Sequence, residues 1–100
     1  MPAVSRKDGT DTISTGHLCD TTTVTDQGSS DVIINGIGVV RLGDLNKVHD
    51  ILLGICVPHA VPLTSVSTTV FANGKGIGRL GDSYSGEILT SGSPNVFAGG

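Results

Sequence analysis

The sequence predicts a small all-β domain made of short hairpins, and three observations carry that prediction. First, the stretch Asp31-Val-Ile-Ile-Asn-Gly-Ile-Gly-Val-Val-Arg-Leu-Gly-Asp44 returns 38 positions later as Thr69-Val-Phe-Ala-Asn-Gly-Lys-Gly-Ile-Gly-Arg-Leu-Gly-Asp82, with eight of the fourteen positions identical. Second, each copy sets an Asn-Gly pair between two β-prone runs, the strongest local signal for a tight turn whose central residues need positive φ. Third, Gly, Ser, Thr and Val abound while the aromatics are only Tyr84, Phe71 and Phe97, a composition that favours short twisted strands over helix. A truncated copy closes the chain, since Gly92-Ser-Pro-Asn-Val-Phe-Ala-Gly-Gly100 matches Gly28-Ser-Ser-Asp-Val-Ile-Ile-Asn-Gly36 with Gly99 at the place of the turn Asn. The repeat is therefore nearly three-fold.

At 100 residues the chain reads as one domain, residues 1–100, with a thin core. A metal, a disulfide or a partner would help to stabilise it. The formal charge of −3 and the scattering of six basic residues exclude a nucleic-acid backbone as partner, because that binding needs clustered Lys and Arg. No apolar run is long enough for a secretory signal or a bilayer span, so the expectation is a chain made and folded in the cytoplasm without stable membrane insertion. In that compartment Cys19 and Cys56 read as thiols or metal ligands in preference to a disulfide.

Taken in order, Ala3-Val-Ser-Arg6 with Lys7-Asp-Gly-Thr-Asp11 reads as a degenerate leading half-copy of Val40-Arg-Leu-Gly-Asp44, the Gly-Asp order inverted. The acidic residues beside Gly9 lack the spacing and closing Glu of an EF-hand loop and read as a surface turn. Gly16-His-Leu-Cys19 follows, and if it is extended, His17 and Cys19 lie on one face within reach of a single ion. The polar run from Asp20 to Gln27 reads as an edge strand or ordered loop. Beyond the first full copy, the spacing of Val48, Ile51, Leu52 and Ile55 predicts one or two helical turns near Asp50 that stop at Gly54, while Pro58 and Pro62 hold the remainder extended or in loop.

All three histidines and both cysteines fall within residues 17–59 and outside the repeat cores. Zinc takes Cys and His tetrahedrally, and a structural site fills all four positions with protein side chains. His17, Cys19, His49 and His59 supply such a set, with Cys56 as the substitute for Cys19. A filled shell leaves no water to activate, which makes the site a clamp. No Gly-x-Ser-x-Gly elbow, Walker loop or paired carboxylate arrangement is present, and Gly74-Lys-Gly-Ile-Gly78 reads as a hairpin turn because no helix follows it. The enzymatic alternative is a small zinc hydrolase with His17, His49 and His59 on the metal and water in the fourth position. Another is an adaptor that binds some other trimeric protein.

The repeated Asn-Gly-x-Gly-x-x-Arg-Leu-Gly-Asp, the opening Gly-His-x-Cys, the two later histidines and the Gly-Ser-Pro-Asn-Val-Phe-Ala-Gly-Gly ending together resemble the PAAR-repeat family, the sharpening tips of contractile phage tails and type VI secretion spikes. The resemblance implies a small cone of β-hairpins with pseudo-three-fold symmetry, whose base caps a trimeric β-helical spike. It also implies one structural zinc near the vertex, held by His17, His49, His59 and Cys19. The family's Pro-Ala-Ala-Arg signature stands here as Gly38-Val-Val-Arg41 and Gly76-Ile-Gly-Arg79, so both copies lack the stiffening proline. By the same resemblance the protein is a non-enzymatic virion or secretion component, assembled at the spike tip and delivered across a target envelope in membrane piercing. Its end at Gly100 implies a bare tip without a toxic extension.

Overall fold

A computed structural model describes residues 1–100 and contains ten short strands and no helix. Strands β1 (Thr12–Ser14), β2 (Thr22–Val24), β9 (Ser83–Tyr84) and β10 (Glu87–Leu89) form one antiparallel sheet in the order β2-β1-β10-β9. The remaining strands pair as three two-stranded ribbons: β3 (Ile33–Ile34) with β4 (Ile37–Gly38), β5 (His49–Leu53) with β6 (Ile55–His59), and β7 (Phe71–Ala72) with β8 (Lys75–Gly76). The molecule measures 40 × 24 × 22 Å along its principal axes.

Turn chemistry sets the ribbons. Asn35 and Asn73 adopt φ of 51° and 55°, each followed by a Gly at positive φ, as a two-residue hairpin turn demands. Ser85 and Gly86 repeat the same left-handed pair between β9 and β10. The helical turns expected near Asp50 do not form. That segment is β5, paired residue for residue with β6 from His49↔His59 to Leu53↔Ile55, and Gly54 turns the chain at φ 81°. The 3.6-residue spacing of Val48, Ile51, Leu52 and Ile55 is not a buried stripe, because Val48, Leu52, Leu53 and Ile55 all remain exposed. Pairing with a β-branched, proline-containing partner strand decides the conformation instead.

The hydrogen bonds within and between the repeats recur three times. Backbone N–H groups of Arg6, Arg41 and Arg79 donate to Asp11, Asp44 and Asp82 at 2.7, 2.8 and 2.9 Å, and each Arg Nε donates to the same carboxylate oxygen at 3.0 Å. The residues just before these arginines close a ring, with Ser5 N–H donating to Gly78 O, Gly78 N–H to Val40 O, and Val40 N–H to Ser5 O. Asn35 Oδ1 accepts from Arg6 and Ser93, Asn73 Oδ1 from Arg41 and Ser29, and the Gly99 carbonyl from Arg79 and Ser67. Where the third copy lacks the turn Asn, a backbone carbonyl takes its place. The leading half-copy uses Asp11, not Asp8, as the partner of its arginine, with Asp8 and Gly9 in left-handed turns between them.

Two small apolar clusters flank this ring. Val4, Val39, Ala72, Ile77 and Ala98 form one; Ile13, Val40, Leu63, Tyr84 and Leu89 form the other. Gly78 stands where the first copy has Val40, and a Cβ there would lie 2.6 Å from both Val40 Cγ2 and Leu63 Cδ2, so any side chain would have to displace these two methyl groups. Burial, with the Asp44 and Asp11 carboxylates nearby, pushes the Tyr84 phenol above its ordinary pKa. Side chains alternate along the strands, and this alternation carries the second cluster into the candidate site. Leu89 and Glu87 share the buried face of β10, and Ile13 is followed inward by Thr15. No helix is long and apolar enough to cross a membrane.

Candidate metal centre

Four side chains from four different segments converge beyond the second cluster. His17 comes from the segment after β1, His49 opens β5, His59 closes β6 and Glu87 opens β10. The His49↔His59 register of the β5–β6 ribbon brings two of the imidazoles together. One ligand atom from each of the four residues lies within 4.8 Å of the others. The His17 and His49 rings stack at 5.2 Å, and His59 stands edge-on to both. All three Nε2 atoms face the Glu87 carboxylate, at 2.8 Å from His17 and 3.0 Å from His49 and His59.

The donor chemistry fits a cation. His49 Nδ1 lies 2.7 Å from the Lys47 carbonyl and His17 Nδ1 3.2 Å from the Leu18 carbonyl. A carbonyl only accepts, so in the neutral ring Nδ1 carries the hydrogen and Nε2 turns its lone pair to the centre. The lone pairs of His17 and His49 meet a carboxylate, also an acceptor, and a cation bound between them would satisfy this convergence. Backbone carbonyls that receive the other ring N–H are the usual outer support of metal-binding histidines. Asn46, fully buried, donates from Nδ2 to Glu87 Oε1 at 2.8 Å and accepts the Val61 N–H at its own Oδ1 at 2.9 Å. One carboxylate oxygen is thereby held and the other aimed at the histidines. Burial acts to raise the Glu87 pKa, but with no ion bound the hydrogen bonds that His49 and His17 donate when Nε2 carries a proton, together with the one from Asn46, outweigh it and keep the carboxyl below its ordinary range.

His17, His49 and His59 therefore meet, as the sequence suggests, whereas Cys19 does not join them. Its sulfur is bonded to Cys56 across a Cα–Cα distance of 5.9 Å, which corrects both the expectation of two thiols and the assignment of Cys19 as the sulfur ligand. The physical reason is local. An extended His-Leu-Cys would put residues 17 and 19 on one face, but Cys19 takes φ 75° and the chain turns there. Cys56 is no substitute, because it pairs with Leu52, and its odd separation from His59 puts it on the opposite face of β6. Sequence reasoning missed Glu87. Two signals mark it: it is the only glutamate in the chain, and it follows a Ser-Gly turn with Leu89 in phase on the same strand face.

No protein-family model matches this chain, and no curated protein matches it.

Proposed function

We propose that this protein is a structural tip, a PAAR-like cone that caps and sharpens a trimeric β-helical spike of a contractile phage tail or type VI secretion machine. One observation carries the proposal: the Arg–Asp pairs, the backbone bonds of the Ser5–Val40–Gly78 ring and the inter-copy contacts to Asn35, Asn73 and Gly99 each number three within a single chain. Read as pseudo-three-fold symmetry, these repeated contacts would let a monomer sit on a true three-fold partner, with each unit meeting one subunit. The three copies also offer matching apolar contacts. Ile33, Phe71 and Phe97 are 49%, 58% and 49% exposed, while the next residue in each copy, Ile34, Ala72 or Ala98, packs on the first cluster. Repeated exposed apolar residues of this size are what an interface uses.

In this proposal the ion is a structural zinc, held by His17, His49, His59 and Glu87. Zinc supplies there a covalent-strength tie between segments. The hydrolase alternative loses weight, because Glu87 takes the fourth place that water would need. The chain is made in the cytoplasm, assembled on the spike and carried across the target envelope.

The test is assembly. Mixed with the trimeric β-helical spike encoded by the same genome, the metal-loaded chain is expected to co-elute at one copy per trimer. The Phe71→Glu/Phe97→Glu double variant, still folded, is expected to elute free. No complex with the folded wild-type chain, or an unimpaired double variant, would overturn the docking assignment.

A further inference from the structure

We propose that the Cys19–Cys56 disulfide is the positioning bond of the metal centre, so that the oxidised chain retains a divalent cation and the reduced chain holds it weakly. This inference rests on the metal assignment above and adds to it a dependence on redox state. The four ligands divide into two kinds. His49 and Glu87 are 3% and 5% exposed at their side chains and are held by the Lys47 carbonyl and the buried Asn46, respectively. His17 and His59, at 17% and 26%, lie nearer the surface on the two segments that the disulfide joins.

Cys19 lies two residues after His17, and Cys56 three before His59. The His17 segment belongs to no strand, and besides the disulfide, three hydrogen bonds tie it to the β5–β6 ribbon. Leu52 N–H to Leu18 O at 3.1 Å and Asp20 N–H to Asp50 O at 3.0 Å together make the Cys19–Ile51 bridge, and Asp50 N–H donates to Asp20 Oδ2 at 2.7 Å. Leu18, Asp20 and Leu52 are exposed, so water competes for these hydrogen bonds. The disulfide is the one tie that water does not contest, and the loop it closes, 37 residues in separation, contains His49 as well. Reduction leaves His49, His59 and Glu87 in place, His59 through its pairing with His49, and lets the His17 segment move away from the ribbon. Metal affinity depends on such pre-placement of ligands.

The experiment compares zinc binding by the oxidised chain, the chain reduced with a trialkylphosphine, and the Cys19→Ser/Cys56→Ser variant, using a chromophoric chelator as competitor. In the reduction the phosphine leaves as its oxide with the oxygen of one water, and two electrons and two protons pass to the Cys19 and Cys56 sulfurs. The oxidised chain is expected to bind one zinc, and both other forms to bind it roughly 10- to 100-fold more weakly, the usual effect of losing support around a ligand. A merely structural role is separated by two further readouts. Amide exchange at Ile13, Val40, Leu63 and Leu89 in the metal-free forms is expected to stay unchanged. Rejoining the reduced thiols through a one-carbon bridge is expected to restore the affinity, and capping each with iodoacetamide is not. Equal affinity in all forms would overturn the inference and leave the metal site standing. Tighter binding by the reduced chain, with a thiolate-to-metal band when cobalt replaces zinc, would overturn it in favour of Cys19 as a ligand. Absence of binding in every form would overturn the metal assignment itself, and this inference with it.

Discussion

Replacing His49 by alanine is expected to abolish metal retention and to lower the melting temperature as far as exhaustive chelation lowers it in the unaltered chain. His49 is the most buried of the three imidazoles, it opens the ribbon that also carries His59, and its Nδ1 is already committed to the Lys47 carbonyl. Its loss breaks the four-ligand shell. Structural zinc contributes on the order of 10 kcal/mol to small metal-dependent folds, comparable with the entire stability of a domain this size. Metal analysis after dialysis and a thermal scan with and without chelator check the expectation. In the variant, chelator should cause no further drop. A His49→Ala chain that keeps stoichiometric metal and melts like its parent would contradict the ligand assignment.

The second large effect is expected at Asp11. Its carboxylate accepts from the Arg6 backbone N–H, Nε and Nη2 and from the Ser91 hydroxyl, and it is 1% exposed, with Arg6 at 14%. Hydrogen bonding to Asp11 raises the Arg6 pKa against the opposing effect of burial, and a guanidinium stays charged at working pH even when such a partner is removed. Removing one member of such a buried pair costs about 3–5 kcal/mol, because the other is left uncompensated. For a chain of this length that corresponds to a fall in melting temperature on the order of 15 °C. Asp11→Ala in the metal-loaded chain should show it by calorimetry, and Asp44→Ala and Asp82→Ala should show falls of similar size, since their pairs have the same geometry. A loss below about 1 kcal/mol at all three positions would mean that the Arg–Asp pairs do not hold the copies together.

The residues that announced themselves in the sequence are those whose role is fixed by local backbone chemistry. Asn35-Gly36 and Asn73-Gly74 need left-handed φ, which few residues accept, and both form the expected hairpins. Arg41 with Asp44 and Arg79 with Asp82 were visible as a repeated spacing. Arg6 with Asp11 was harder to see, because the turn at Asp8 and Gly9 lengthens the interval from three residues to five. The convergence of His17, His49 and His59 was legible from residue type alone. The partners that depend on pairing across the chain were not. Nothing within residues 48–55 says that they will pair with β6 in place of closing a helical turn. Whether Cys19 meets a metal or Cys56 turns on the φ of one residue and on a register set 30 positions away. Glu87 lies 28 residues beyond the last histidine and reaches the centre only because β10 pairs with β1.

X-ray absorption at the metal edge of the purified, oxidised chain, together with elemental analysis, tests the metal centre most directly. One zinc per chain in a shell of three imidazole nitrogens and one carboxylate oxygen, with no sulfur, is the predicted result. A sulfur neighbour in the shell, or a folded chain that binds no metal after incubation with zinc, would contradict it.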